Sequence, residues 1–287
     1  MLSAGRRAVD AEDPIKLILE TVRTKTVERL FQNLGPRESA ERLADGFYSL
    51  HINPSRTQRL LDAKEITRIQ TKKPSRLHLE AALPEADVFG PGGARLAPET
   101  GKGVLIGIVD SGFDLSHPMF RDSSGKLRVG ELLDQTTGRS FSTAQLEQGW
   151  GNGSNPGADQ NGHGTHVTSI AGGSHFGSRE GVAPDARYLL VKTNFQDTDK
   201  AVSWIFQQAG STPCVINMSL GHHFGAHDGT DAEERLHDAI TGPGKIIVIS
   251  AGNEATDSIH VGARFSQDQS RSAAFDFLTP DDGSAPG

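Results

Sequence analysis

Four short stretches hold residue types that can do chemistry. Asp110 ends the apolar run Val104 to Val109 and is followed at once by Ser111-Gly112. A carboxylate at the end of a buried strand is held rigidly, near other strand ends. His163 opens a stretch of small residues, Asn161-Gly-His-Gly-Thr-His166 to Gly173. With no bulky neighbour, its imidazole is open to a substrate. Ser219-Leu220-Gly221 closes the apolar run Cys214 to Met218. The glycine leaves room for another backbone, so an extended peptide can add there as a strand. Asn253 follows Ala251-Gly252 behind the run Lys245 to Ile249. Its amide is a donor suited to a developing oxyanion. Each stretch also has a plain reading: a turn former, a core histidine, an ordinary strand end and a turn asparagine.

The elements that must position these residues alternate. Apolar runs at Val104–Val109, Arg187–Val191, Cys214–Met218 and Lys245–Ile249 are spaced by helical stretches at His163–Ala171, Asp199–Ala209 and Ala232–Ile240. Short runs without polar alternation suit strands buried on both faces. Strand and helix in turn predict an α/β fold, a parallel sheet with helices on both faces. In such sheets functional groups gather at the carboxyl ends of the strands. The helix at His163 is rich in glycine, at about 1 kcal/mol per interior glycine, so it must pack tightly at the centre of its domain.

Upstream lies a smaller α+β pattern. Ile15–Val22 and Phe47–Ile52 read as strands, with helical patterning to about Leu34 and again at Pro36–Ala44. Asn53-Pro54 starts a helix that runs to about Ala63. Short strands follow near Ile66–Ile69 and Leu77–Leu79. Leu83 to Gly103 is rich in proline and glycine and reads as a linker. At the far end Ile259 to Phe265 and Ala273 to Phe277 alternate, as a hairpin or the start of a β-rich module would.

The segments VDSGFDLSHP, NGHGTHVTSIAG, GVAPDARYLLVK, VINMSLG and ISAGNE, from about Gly103 to Glu254, together resemble the subtilisin-like (subtilase) serine peptidases. The order Asp, His, then Ser is that of subtilisin. The resemblance implies that Asp110 orients the histidine, that His163 is the general base and then the acid, and that Asn253 is the oxyanion donor. It implies that Ser219, Leu220 and Gly221 line the substrate strand. The substrate would be a polypeptide. The chemistry of the side chains agrees, because a neutral imidazole accepts a hydroxyl proton near pH 7 and a buried carboxylate fixes its tautomer.

The resemblance further implies that residues 1–82 form a prodomain-like region acting as intramolecular chaperone and inhibitor. Residues 83–102 are then the linker, 103–254 a partial catalytic domain, and 255–287 the start of a β-rich insertion or a frayed tail. The expected fold is subtilisin-like α/β, incomplete at the C-terminus and preceded by a small α+β domain.

Two departures stand out. The family nucleophile sits in Gly-Thr-Ser-x-Ala, a motif that does not occur in this sequence; Gly283-Ser284-Ala285 lacks its threonine and the apolar helix after it. The expectation is a fragment, nearly inactive alone. The alternatives are a non-catalytic scaffold that binds peptides or a partner, and one half of a split peptidase. Secondly, many relatives bind calcium through an acidic residue after the His-Pro pair. Here His117-Pro118 is followed by Met119-Phe120, and the loop before Gly181-Val182-Ala183 is short. No cofactor is expected to be required, and the usual calcium site is expected to be absent.

Composition narrows the rest. Apolar residues at 35% and charged residues at 23% suit a globular protein with a sizeable core. Residues 1–97 hold 16 Lys and Arg against 13 Asp and Glu, a balance of +3. The remaining 13 against 23 give −10, so a basic front precedes an acidic body. The basic residues are interleaved with acids, which argues against a nucleic-acid partner. Cys214 is the only cysteine, excluding an intrachain disulfide, and is expected to be a buried small hydrophobe. No apolar stretch reaches membrane-spanning length. Met1 to Pro14 has no apolar core of a secretory signal. His163 and His166, with His222, His223 and His227, suggest zinc, but His-Glu-x-x-His is missing. Gly101-Lys102-Gly103 precedes its strand and lacks Ser or Thr after the lysine, so it is no phosphate loop.

Overall fold

The computed structural model describes residues 14–22, 24–72, 76–77, 88, 95–149, 155–176, 180–225 and 227–253. The expected closing hairpin and most of the expected linker lie outside these residues.

The front of the chain builds β1 (Ile15–Thr21), a one-turn helix α1 (Thr24–Val27), β2 (Ser39–Ala44), β3 (Phe47–Ile52), α2 (Thr57–Leu61) and β4 (Ile66–Thr71). The four strands form one antiparallel sheet in the order β2-β3-β1-β4. Leu17, Leu19, Tyr48, Leu50, Ile52 and Leu60 fill its core. Two expectations fail here. The helical patterning to Leu34 is only α1 and one 3-10 turn, Glu28–Phe31. The helix expected at Pro36–Ala44 is the strand β2. Its Ser39 to Ala44 pair along β3, and Leu43 is buried beside Phe47 and Leu236. Pairing and burial override local helix preference.

Arg76–Leu77 form the short strand β5. Then come β6 (Leu105–Asp110), β7 (Val129–Asp134), β8 (Arg139–Ser142), α3 (Thr143–Gly149), α4 (His163–Gly172), β9 (Arg187–Lys192), α5 (Thr198–Ala209), β10 (Cys214–Met218), β11 (Leu220–Gly221), α6 (Ala232–Ile240) and β12 (Lys245–Ile249). Six of the strands make a mostly parallel sheet in the order β12-β10-β6-β9-β7-β8, with only β8 antiparallel.

The central strands of this sheet are buried on both faces. Ile106 and Ile108 of β6, with Tyr188 and Leu190 of β9, face a core completed by Val167 of α4. The alternate residues Val109, Leu189 and Val191 face Ala201, Val202, Ile205 and Phe206 of α5. That two-sided burial is why these strands read as unbroken apolar runs. At the open side β12 pairs only β10 among the described strands, and its Ile246 and Val248 are half exposed. The front sheet rests on the body through β1, β2 and β4 against α5 and α6.

Candidate active site

Asp110 closes β6 and is fully buried. His163 is the first residue of α4. Its Nδ1 lies 2.8 Å from Asp110 Oδ1, and the same oxygen accepts the Ser111 amide at 2.7 Å. Asp110 Oδ2 is buried without a hydrogen-bond partner. Burial pushes the Asp110 carboxyl up; His163 and the Ser111 amide pull against it without cancelling the rise. The imidazole keeps a partly open edge, with 13% of the side chain exposed.

The start of α4 is locked onto β6. Gly164 lies so close that a Cβ would come 2.9 Å from Asp110 Cβ and would meet the Gly112 carbonyl oxygen. Only glycine allows this approach, which brings the imidazole within reach of the carboxylate. Asp159 secures the same end. It accepts the Gly162 amide at 2.8 Å, the Thr165 amide at 2.9 Å, the Thr165 hydroxyl at 2.6 Å and the Ser111 hydroxyl at 3.0 Å. Burial alone would raise the Asp159 carboxyl, but these hydrogen bonds outweigh it and hold it below the usual range. Sequence reasoning missed Asp159. The available signal was a carboxylate four residues ahead of a helix start, where unpaired amides and the helix dipole favour negative charge.

The strand register gathers the other candidates. β10 pairs β6 and β12 in parallel, with Asn217 opposite Ile108 and Met218 opposite Ile249. One step further along, Ser219 falls level with Asp110 and with Ser250, whose amide donates to Met218 O at 3.0 Å. Asn217 Nδ2 donates to Ser219 Oγ at 3.0 Å. Leu220 and Gly221 form β11, which pairs antiparallel with β5: Leu220 with Leu77 and Gly221 with Arg76. The sequence suggested both a strand near Leu77 and room for an added strand beside Gly221; the structure makes them partners. Asn253 lies beyond β12 in an exposed position, three residues past Ser250.

No group of three or more His, Cys, Asp or Glu among the described residues is arranged to hold a metal ion. His222 Nε2 is 3.4 Å from Glu233 Oε2, while the His223 and His227 rings lie 6.3 Å apart. The side chain of Arg95 lies against Glu180, Gly181 and Val182. The Arg95 guanidinium donates to the carbonyls of Ala97, Glu99, Gly181 and Val182 and to the Glu180 carboxylate. Cys214 is buried and free, and burial pushes its thiol up to about 11. No helix among the described residues is long and apolar enough to cross a membrane.

The model of the subtilase family, Peptidase S8, matches residues 101–273. Subtilisin-like protease 6 of Trichophyton rubrum is 29% identical over 182 residues, covering 57% of this chain and 36% of its own length. Subtilisin-like protease 3 of Pseudogymnoascus destructans is 30% identical over 209 residues, covering 65% and 44%. The CspB protease of Clostridium perfringens superposes with a TM-score of 0.52 at 26% identity, over 56% of this chain and 38% of its own. Fervidolysin of Fervidobacterium pennivorans shares the fold at 16% identity, with a TM-score of 0.54 over 88% of this chain and 42% of its own. The chain thus spans well under two thirds of the length of these relatives.

Proposed function

Because this chain belongs to the subtilase family, we propose that it carries the acid–base and substrate-docking part of a serine endopeptidase. The contact of His163 Nδ1 with Asp110 Oδ1, 2.8 Å at the foot of α4, is the observation that supports this reading most. Asp110 holds the imidazole in one tautomer and stabilises it when it becomes charged. His163 then takes the proton of a serine hydroxyl and later passes it to the leaving amine. Asn253 donates to the oxyanion of the tetrahedral intermediate. Ser219, Leu220 and Gly221 pair with the substrate backbone.

The nucleophilic serine comes from sequence not contained in this chain. In subtilisin itself, loss of that serine lowers kcat about 10⁶-fold. At 1.36 kcal/mol per decade this is roughly 8 kcal/mol of barrier.

The front sheet is the inhibitor of the same site. β5 follows it directly and adds to β11 where a substrate strand would add, which favours this assignment. Residues 1–82 act as prodomain and 83–102 as the linker to be cut. Effective concentrations of about millimolar for a tethered segment make such a block efficient even when the pairing is weak.

The test compares casein hydrolysis by this chain with hydrolysis by the product of the gene continued past the codon for Gly287. Activity is expected only in the continued product, provided that Gly-Thr-Ser-x-Ala is reached, and Ala at His163 is expected to abolish it. Robust hydrolysis by the chain alone, blocked by His163→Ala, overturns the assignment of the serine.

A further inference from the structure

The carboxyl end of β6 and the start of α4 meet along a seam, and Asp110 and His163 face each other across it at 2.8 Å. The residues next to them cross the same seam. Ser111 follows Asp110 and Gly164 follows His163. The Gly164 amide donates to Ser111 Oγ at 3.2 Å, and that hydroxyl donates to Asp159 Oδ1 at 3.0 Å. A second relay crosses the other way. The Asp114 amide, in the turn after β6, donates to Thr165 Oγ1 at 2.9 Å, and that hydroxyl donates to Asp159 Oδ2 at 2.6 Å. Each oxygen of one carboxylate thus ends a relay that starts from an amide on one side of the seam and passes through a hydroxyl on the other.

A helix cap alone does not need these crossings. α4 begins behind Gly162, which has a φ of 86° and no side chain to cap with. Asp159 supplies the cap by accepting the amides of Asn161 at 3.2 Å, Gly162 at 2.8 Å and Thr165 at 2.9 Å. Those three bonds serve the helix start by itself. The links to Ser111 and Asp114 do something else: they fix where that start sits on β6. The loop that carries Asp159 is tied to the same strand ends, since the Phe113 amide donates to Gly157 O at 2.8 Å and Lys192 Nζ donates to Ala158 O at 2.8 Å. Burial works against a charge on Asp159, yet its hydrogen bonds hold the carboxyl below the usual range, so it is ionised at neutral pH and only accepts.

We propose that Asp159, acting through Ser111 and Thr165, is the positioning residue that holds His163 in register with Asp110. The proposal rests on the reading of Asp110 and His163 as the acid–base pair. What the clamp sets is the tautomer of the imidazole. An ionised Asp110 only accepts, so contact with its Oδ1 keeps the proton of a neutral imidazole on Nδ1 and leaves Nε2 free to act as the base. If the seam loosens, that preference is lost, the Nε2–H form gains population, and the base disappears with it.

The test uses the full chain with isotopically labelled histidine, whose ring-nitrogen NMR shifts report the tautomer at a pH where the imidazole is neutral. His163 is assigned by the signals lost in His163→Ala. The Nδ1–H form is expected to dominate in the unsubstituted chain, and Asp159→Ala is expected to lower the ratio of Nδ1–H to Nε2–H about tenfold or more. Ser111→Ala leaves the bonds from Asp159 to the α4 amides in place and is expected to lower the ratio in the same direction. Ser111→Thr, which keeps the hydroxyl, is expected to restore it. A residue that only caps α4 would lower the denaturation midpoint without moving the ratio. An unchanged ratio in either alanine variant therefore overturns the proposal and leaves the Asp110–His163 pair standing. A dominant Nε2–H form in the unsubstituted chain overturns both. Should Asp159→Ala fail to fold, Ser111→Ala and Ser111→Thr decide by the same ratio.

Discussion

Gly164 packs against Asp110 with no room for a methyl group between them, since a Cβ on Gly164 would lie 2.9 Å from Asp110 Cβ. The imidazole–carboxylate contact therefore depends on a residue with no side chain at all. Gly164→Ala is expected to push α4 off β6, costing on the order of 1–3 kcal/mol as overpacking does. It should also break the His163–Asp110 hydrogen bond. Chemical denaturation checks the stability, and loss of the downfield imidazole N–H resonance in proton NMR checks the contact. An unchanged resonance would show that the helix start yields without moving His163.

The docking of the front sheet should fail in acid. Burial alone would raise the Asp197 carboxyl, but His51, Lys72 and Asn194 hold it far below its ordinary value of 3.8. A carboxyl that titrates lower when docked contributes fully above about pH 4, and the contribution is lost as pH falls. Burial raises the Asp199 carboxyl, so its protonation partly offsets that loss. Limited proteolysis between residues 14 and 72 is expected to accelerate below pH 4, and Asp197→Asn should flatten that dependence.

Cys214 should be inert in the folded chain. With its thiol pushed up to about 11, about one molecule in a thousand is thiolate at pH 8. It is also enclosed between β6 and β12. Alkylation by iodoacetamide is expected to be undetectable under native conditions and complete in denaturant. Rapid labelling of native protein would place the strand in an opening equilibrium.

Arg95 should make the loop before Gly181 independent of metal. Chelation with EDTA is expected to leave the melting temperature unchanged. Arg95→Ala removes the donor to four carbonyls and to Glu180, and should cost on the order of 3 kcal/mol. Differential scanning calorimetry with and without EDTA measures both. A fall in melting temperature with EDTA in the unsubstituted chain would point to a resident ion elsewhere.

Much of the body was legible because its central strands are buried on both faces and the half-exposed β12 is apolar from Ile246 to Ile249. β6, β9, β10 and β12 appear as continuous apolar runs, and α4, α5 and α6 fall between them as expected. β7 was not read, because Gly130 and Glu131 interrupt its apolar pattern where the register shifts against β9. The edge strand β8, Arg139 to Ser142, has only Phe141 to announce it. β2 was misread as a helix because its identity comes from pairing with β3. At the site, Asp110 and His163 stood out through small neighbours and strand ends, and the structure brings the two side chains within hydrogen-bond distance. Asp159, Asp197 and Asp199 were passed over, since an acid near a helix start is ordinary in sequence. What sets these three apart is what they hold: five amide and hydroxyl donors in one case, a lysine from a distant segment in the other.

The open side of the large sheet bears on how the chain behaves in quantity. β12 leaves one backbone edge unpaired among the described strands, with Ile246 and Val248 standing half exposed along it. Such an edge is a template for strand addition between molecules. At high concentration two copies can join seam to seam, and colloidal stability then rests on the net charge of −7 keeping them apart. Salt screens that repulsion while leaving the apolar edge intact, so ionic strength governs how long the chain stays dispersed.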